Sequence, residues 1–479
     1  MNNLKKTICL SCLILSDIAA LLASFLIAYF LRSNFLRFII SDIRQAPLPL
    51  ATQLKYGFFY GALIIIVVFS FEKLYTRRFA FWEETKHLVK SITLSFIFIM
   101  MAVFVFRAYT QFSRAVIILA WLFSLFLFPL FRMILKNLLV KFNLWKKKVL
   151  ILGTNVIARQ VANEIKNNNT LGYEVAGFLT DERENIGNNF GGSKIIGEIS
   201  DCENLSKNLG VKDVIIALPD IPNKQLSKVI AQCEKSAETI RVVPGLGNLY
   251  TIGVEIENFG DVLSLSIARN LVKPWNIFIK GLFEFIVAII LSIFLLPLFL
   301  AICLAIKIDS PGPVLFTHDR LGWKHKKIFK FYKFRSMYVD ADMRLEKFLR
   351  KNPEVQKEWD RYHKIKSNDP RVTRVGKFIR KYSLDELPQL INFFKRDMSL
   401  VGPRPYMPRE INKIGNRMEI LSRVKPGITG LWQVRGRNIL SFRDRLLLDE
   451  YYIRNWSLWL DMVILWKTIK VLITREGAY

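Results

Sequence analysis

The sequence predicts a membrane α plus α/β protein with four transmembrane helices, a Rossmann-like middle domain and a membrane-associated α/β domain at the C-terminal end. Three observations carry that prediction. Four apolar stretches long enough to cross a bilayer fill residues 1–140. An apolar strand, a glycine turn and an amphipathic helix follow from Lys146. A further long apolar stretch, interrupted by Pro297 and flanked on both sides by Lys and Arg, opens the last part at Lys273.

The first four stretches run over Ile8–Leu31, Leu54–Phe71, Leu88–Phe106 and Ala115–Leu135. A hydrophobic fraction of 52% with 37 Phe fits that reading, as does a mean hydropathy of +0.25. Lys5 and Lys6 before the first stretch imitate a signal peptide, but the run is too long, lacks an A-x-A cleavage site and precedes further spans. Asp17 inside it reads as a helix–helix contact. The loop Glu72–His87 carries Lys73, Arg77, Arg78 and Lys86, and Lys136, Lys141 and Lys146–Lys148 follow the fourth span. The third loop offers only Arg107 and Arg114, so both ends of the bundle are expected on the cytoplasmic side. The loop after the first span, with Arg32, Arg37, Arg44 and Lys55, fits that topology less well.

The formal charge is +29, from 69 Lys+Arg against 40 Asp+Glu. Membrane lipids with anionic head groups and phosphorylated substrates suit such a surplus beside four spans better than nucleic acid does. The five cysteines and four histidines are scattered, so neither a disulfide framework nor a zinc site is indicated. Cys9 and Cys12 lie within the first span and read as apolar packing residues.

Residues 146–243 read as a small α/β domain, opened by VLILGTNVIARQVANEIKNN, with further strands at Glu174–Leu179 and Asp213–Leu218. A dinucleotide fingerprint needs three glycines. Gly153 is present, but Asn155 and Ala158 hold the other two places, so a structural or regulatory role is preferred to cofactor binding. Residues 244–272 read as a linker.

The last part, residues 273–479, begins with the apolar run of about 282–306. Its length suits a span. Lys273 and Lys280 before it, Lys307, Arg320, Lys324, Lys326 and Lys327 after it, and the mid-helix Pro297 suit a helix that enters, bends and returns to the same face. Both readings stand on the residues alone. SPGPVLF (Ser310–Phe316) marks a turn into the basic run KHKKIFKFYKFRSM, whose lysines suit lipid phosphates. Within that run the planar guanidinium of Arg335 suits bidentate grip of a substrate phosphate.

The chemistry concentrates in YSLDELPQLINFFKRDMSLVGPRP, Tyr382 to Pro405. Adjacent carboxylates Asp385 and Glu386 stand among Arg380, Lys381, Lys395, Arg396 and Arg404. A carboxylate can attack phosphorus, and the cations would neutralise the phosphoryl oxygens. Ser383-x-x-Glu386 is equally a capping box, in which the acids would only start a helix. VGPRP (Val401–Pro405) and KPGITG (Lys425–Gly430) are rigid Gly/Pro loops, and Asn368–Thr373 is a turn. The stretch Tyr451–Leu472 suits either an interfacial helix or a core helix.

SLDELPQL, DMSLVGPRP, VKPGITGLWQVRGR and LDEYYIRNWSLWLDMVIL, in this order, resemble the catalytic domain of the bacterial sugar transferases, the monotopic polyprenyl-phosphate hexose-1-phosphate transferases. The resemblance runs from about Lys273 to the C-terminus. Four spans and an α/β domain ahead of it give a layout similar to undecaprenyl-phosphate galactose phosphotransferases. The resemblance implies that Asp385 attacks a UDP-hexose, that Glu386 holds Mg²⁺, and that undecaprenyl phosphate accepts the hexose 1-phosphate. It implies substrate-binding roles for Lys333, Arg335, Arg380, Arg404, Gln433, Arg437 and Asp449, with Glu450 open as an alternative to Asp449. It favours re-entry with the kink at Pro297, although family members often have Ser before that proline and Leu296 stands here. It places the catalytic domain on the cytoplasmic face of the bacterial inner membrane, with a homodimer plausible. A membrane-anchored nucleotide-sugar dehydratase or epimerase would need an intact glycine fingerprint and a Tyr-x-x-x-Lys in the same domain. Here that motif, Tyr362 to Lys366, lies far downstream. A non-catalytic scaffold for polysaccharide assembly would tolerate loss of Asp385.

Overall fold

Hydropathy and helix formation coincide in the computed structural model, which describes residues 3–36, 58–105, 113–219, 221–243, 254–259, 262–267, 271, 273–323, 328–352, 355–356, 365, 369–436 and 440–474. The chain divides into two units, Met1–Leu249 and Tyr250–Tyr479.

In the first unit, α1 (Asn3–Leu31), α2 (Phe59–Phe71), α3 (Phe81–Val105) and α4 (Arg114–Lys141) pack around Leu21, Phe25, Phe69, Leu88, Phe96 and Phe128. Apolar side chains also cover the outer faces of these helices, Phe30, Phe104 and Phe126 among them, as lipid-facing surfaces require. Helices long and apolar enough to cross a membrane cover Thr7–Asn34, Phe81–Val105, Arg114–Lys141 and Pro274–Asp309. The second expected span differs: α2 has 13 residues, and residues 54–57 of that expectation lie outside the described residues. The loop between the third and fourth spans and most of the first loop also lie outside them.

A neutral set of buried charges ties the bundle together. Arg132 on α4 donates through Nε and Nη2 to Asp17 on α1, at 2.9 and 2.7 Å. Its Nη1 reaches Glu84 on α3 at 3.0 Å and the carbonyl of Leu74 at 3.3 Å. Lys136 donates to the other oxygen of Glu84 at 2.7 Å. Asp17 thus makes the helix–helix contact expected of it. Lys136, counted in sequence among the charges that follow the fourth span, instead sits within α4 and is buried, because Glu84 compensates it there.

The middle domain has one sheet, in the order β3-β4-β2-β1-β5-β6. Its strands are β1 (Lys147–Leu152), β2 (Tyr173–Thr180), β3 (Asn189–Phe190), β4 (Ser193–Glu198), β5 (Asp213–Ile216) and β6 (Thr239–Val242). All pairings are parallel except β3 with β4. Helices α5 (Val156–Asn167), α6 (Cys202–Leu209) and α7 (Asn223–Glu234) complete it. The four last residues of β1 are buried, since a parallel strand covered on both faces reads as a continuous apolar run.

The second unit starts with a hairpin, β7 (Val254–Phe259) with β8 (Val262–Ile267), where the sequence suggested only a linker. Alternating apolar and polar residues, in VEIENF and VLSLSI, explain the pairing. Then comes α8 (Pro274–Asp309), 36 residues helical through Pro297. The antiparallel pair β9 (Leu315–Leu321) and β10 (Ile328–Phe334) follows, then α9 (Ala341–Lys351), α10 (Arg374–Lys381) and α11 (Gln389–Phe394). Strands β11 (Ser399–Val401) and β12 (Gly427–Thr429) pair in parallel and lead to α12 (Leu431–Arg435), α13 (Phe442–Arg454) and α14 (Leu458–Thr474). Tyr451, Tyr452, Trp456 and Ile464 enter the core of this unit, so the C-terminal stretch follows the core-helix alternative over much of its length. Trp466 and Ile469 stay exposed.

Replacing Arg132 by Met strands Asp17 and Glu84 without their shared cation. Unfolding of the detergent-solubilised chain should cost about 3–5 kcal/mol less. Adding Asp17→Asn should recover part of the loss. Equal stability of wild type and Arg132→Met in thermal unfolding would show that the network does not hold the bundle.

Candidate active site

The site is built from the ends of short elements around β10. Thr373 caps α10 through its hydroxyl, which accepts from the N–H of Gly376 at 2.9 Å. Gly376 is required there, since a Cβ would stand 2.0 Å from the carbonyl oxygen of Ser336. After α10 the chain turns through Ser383 in the left-handed region (φ 56°) into a 3₁₀ turn, Leu384–Glu386. The capping box suggested by the sequence does not form: Ser383 makes no side-chain cap. Glu386 instead accepts from Lys333 on β10 at 2.7 Å.

Lys333 also donates to Asp385 at 3.2 Å, so one ammonium bridges both carboxylates. Burial opposes the Lys333 charge, but Glu386 and Asp385 outweigh it and hold the group above its ordinary range. Asp385 is buried, and burial, assisted by Glu386, raises its carboxyl despite Lys333 and Arg380. Arg380 donates to the Ser336 hydroxyl at 2.7 Å, and its charge acts on Asp385.

These groups line a cavity of about 960 Å³ together with Arg335 and Gln433. One wall is apolar: Val287, Leu291 and Leu295 from α8, and Leu465 and Ile469 from α14. Arg335 is otherwise engaged than expected for a substrate ligand. Its Nη1 and Nη2 donate to the carbonyls of Pro311 and Ser310 at 2.6 and 2.7 Å, and Nη2 also reaches the Ser310 hydroxyl at 2.9 Å. It thereby fastens the turn after α8, where Gly312 (φ 120°) leaves room for the guanidinium.

A second group lies around the VGPRP loop. Asp449 on α13 is fully buried and accepts from the Arg404 N–H at 3.0 Å and the Tyr406 hydroxyl at 2.8 Å. Burial pushes its carboxyl up to about 7. Glu450 beside it pairs with Arg417 and Arg454, so Asp449 is the acid that supports the loop. The Arg404 guanidinium lies 5.3 Å from the Trp432 ring centre. Gln433 donates weakly to Ile428 at 3.3 Å. Pro297 lies within α8, and Arg437, like Lys324–Lys327, lies outside the described residues.

Sequence reasoning missed the anchor of this loop. Lys280 donates to Glu284 and Asp461, each at 2.7 Å, to the Val401 carbonyl at 3.0 Å and to the Tyr452 hydroxyl at 3.1 Å. Glu284 accepts from the Val401 N–H at 3.1 Å and from the Ser399 hydroxyl at 2.6 Å. The i, i+4 spacing of Lys280 and Glu284 inside an apolar helix was the available signal.

Among the described residues no three His, Cys, Asp or Glu side chains cluster as a metal centre. The hard oxygen donors of the carboxylate pair suit one or two positions of a magnesium shell whose remaining ligands come from substrate phosphates and water.

Paired carboxylates under a lysine thus line a cavity that has one wall of apolar helix side chains. Residues 275–475 match the model of the bacterial sugar transferase family. An undecaprenyl-phosphate galactose phosphotransferase of Salmonella typhimurium is 34% identical over 100% of this chain and 99% of its own length. A UDP-galactose-lipid carrier transferase of Erwinia amylovora is 33% identical over 99% and 98%. An undecaprenyl-phosphate glucose phosphotransferase of Komagataeibacter xylinus is 32% identical over 70% and 60%. The chain belongs to the bacterial sugar transferase family and is an enzyme.

Residues 62–244 also match a family described as a CoA-binding domain. At the helix end that would meet a diphosphate, the Asn155 side chain already takes one of the free N–H groups. Asn155 accepts from the Ala158 N–H at 2.9 Å and donates to the Ala217 carbonyl at 2.7 Å. A diphosphate at the α5 N-terminus would have to compete with the Asn155 amide for that position.

A carboxyl whose folded pKa exceeds its unfolded value carries an extra proton in the native state. The resulting penalty on stability grows as pH rises from about 4 to about 7 and is constant above. Asp449→Asn removes this titration. The unfolding free energy of wild type relative to the variant should fall by about 2–4 kcal/mol between pH 4 and pH 7.5. A pH-independent difference in chemical unfolding would contradict the assignment.

Proposed function

We propose that the chain transfers hexose 1-phosphate from a UDP-hexose to undecaprenyl phosphate, with galactose the first candidate sugar. The products are UMP and undecaprenyl-diphospho-hexose, an early membrane step of polysaccharide synthesis such as that of O-antigen, capsule or exopolysaccharide. The observation that carries this reading is the Asp385–Lys333–Glu386 arrangement, which opens on a cavity with an apolar wall. A carboxylate pair bridged by a cation and an apolar lane suited to an isoprenoid chain meet there.

An oxygen of Asp385 attacks the hexose-bearing phosphorus. The bond from that phosphorus to the bridging oxygen breaks, and UMP leaves with the electron pair. A phosphate oxygen of undecaprenyl phosphate then attacks the same phosphorus and displaces the carboxylate. Lys333 holds Asp385 in line and offsets charge on the transferred group, and Arg380 adds a second cation. Glu386 would hold Mg²⁺, which supplies charge neutralisation of the diphosphate when bound. Arg335 acts in this scheme by fixing the turn that positions β10.

Re-entry of α8 is part of the proposal. A straight helix of this length would measure roughly 54 Å, against a hydrocarbon core of about 30 Å. Basic residues flank both ends, and Pro297 removes one helical hydrogen bond. A bend there would set the site at the cytoplasmic face of the inner membrane, where a soluble nucleotide sugar meets a lipid phosphate. The middle domain, Rossmann-like in strand order, serves as an accessory unit.

The test is UMP release by solubilised protein with Mg²⁺, undecaprenyl phosphate and either UDP-galactose or UDP-glucose. Asp385→Asn should lower release at least about a thousandfold. Without lipid, wild type should retain radiolabel from the hexose on the chain and Asp385→Asn should not. Undiminished release by Asp385→Asn would rule out the covalent route.

A further inference from the structure

We propose that Arg320, Arg404 and Arg445, gathered around Phe331 and Trp432, form a phosphate subsite for the nucleotide half of the donor and for the nucleoside monophosphate it leaves behind. The inference rests on the transferase reading above. It adds Arg320, Arg445 and Trp432 to the residues that handle substrate.

Three observations converge. The guanidinium carbons of Arg404 and Arg445 stand 5.3 and 5.4 Å from the Trp432 ring centre. Contact with a ring face orients a guanidinium without consuming its N–H donors. Arg404 makes no side-chain hydrogen bond or ion pair among the described residues. Arg445 gives Nε and Nη2 to the Leu440 carbonyl, at 3.2 and 3.1 Å, and makes no ion pair there.

Arg320 joins the group from β9. It donates Nη1 to the Pro405 carbonyl at 3.0 Å, next to Arg404, and Nε to His318 at 2.8 Å. It lies 5.4 Å from the centre of the Phe331 ring, and Lys333 lies 5.9 Å from the same ring. Arg320 therefore shares one aromatic ring with the lysine that bridges the dyad. Burial, reinforced by Arg404, pushes Arg320 down to about 10, the direction a crowd of like charges produces. Arg409 adds another positive charge, and the acids acting on the group are Glu410, Glu386 and the buried Asp449. Cations held this close with so little compensation suit an anionic ligand.

The position separates the two phosphates of the reaction. Trp432 lines the apolar-walled cavity, but Arg320, Arg404 and Arg445 stand outside its lining. A lipid phosphate arrives with its chain along the α8 and α14 wall. The water-soluble partner is left with the arginine side. When the phosphorus–oxygen bond breaks, the leaving oxygen stays on the nucleoside monophosphate, which gains close to one negative charge. Guanidinium donors fixed in advance stabilise that developing charge.

The test uses the full-length, solubilised chain and UMP as the probe, with Mg²⁺ present and absent, beside the KM for undecaprenyl phosphate. Arg445→Gln should weaken UMP binding about tenfold and leave the lipid KM within about twofold. Because Arg320 also supports the VGPRP loop, it is tested as Arg320→Lys, which keeps the charge. That variant should weaken UMP by less than Arg445→Gln while thermal unfolding stays unchanged. Unaltered UMP affinity in Arg445→Gln would overturn the subsite. A raised lipid KM with unaltered UMP affinity would assign these arginines to the acceptor and overturn it equally. Wild type that releases UMP from a UDP-hexose but loses no affinity in the variants would leave the transferase reading standing and remove this inference alone. Wild type that neither binds nor releases UMP would remove both.

Discussion

The VGPRP side of the candidate site depends on one buried grip, that of Lys280 and Glu284 on Val401. These two residues, one helical turn apart at the base of α8, take the carbonyl and the N–H of the same peptide-bearing residue. A strand edge held at both main-chain groups cannot slide. Val401 ends β11 and begins VGPRP, so the membrane helix fixes the start of the loop that carries Arg404. Tyr452 of α13, Trp456 between the helices and Asp461 of α14 close the network. Burying these charges is tolerable because each has several partners; a lone buried ammonium would cost several kcal/mol.

The other end of the loop is held by backbone packing. The Gly402 N–H donates to the Thr429 carbonyl at 2.9 Å, and the Gly427 N–H donates to the Pro403 carbonyl at 2.8 Å. A Cβ on Gly427 would stand 2.1 Å from the Gly402 nitrogen, so VGPRP and KPGITG approach as only glycines can. Asp449 then fastens Arg404 and Tyr406 from beneath. Membrane helix, loop and dyad form one continuous chain of contacts within the second unit.

The first unit solves a different problem. Its bundle buries two acids and two bases in a single neutral set, which joins α1, α3 and α4. Its mixed sheet is parallel except at β3, and Asn155 uses its side chain to bind the first turn of α5 and the carbonyl of Ala217 just after β5.

Sequence alone determined the first, third and fourth apolar helices, the strands around Gly153, the carboxylate pair and the loops beside it, because hydropathy, Gly/Pro punctuation and local charge are properties of neighbouring residues. It also ranked Arg335 as a phosphate ligand from side-chain chemistry, and read Ser383-x-x-Glu386 as a cap from spacing. Only the tertiary structure decided that Arg335 fastens Ser310 and Pro311, that Glu386 turns to Lys333, and that Asp449 rather than Glu450 faces inward. It alone paired Asp17 with Arg132 across 115 residues and Lys280 with Asp461 across 181. The reason is physical. A buried charge is satisfied by whatever the fold brings near it, and a partner more than a hundred residues away leaves no periodicity or spacing to read.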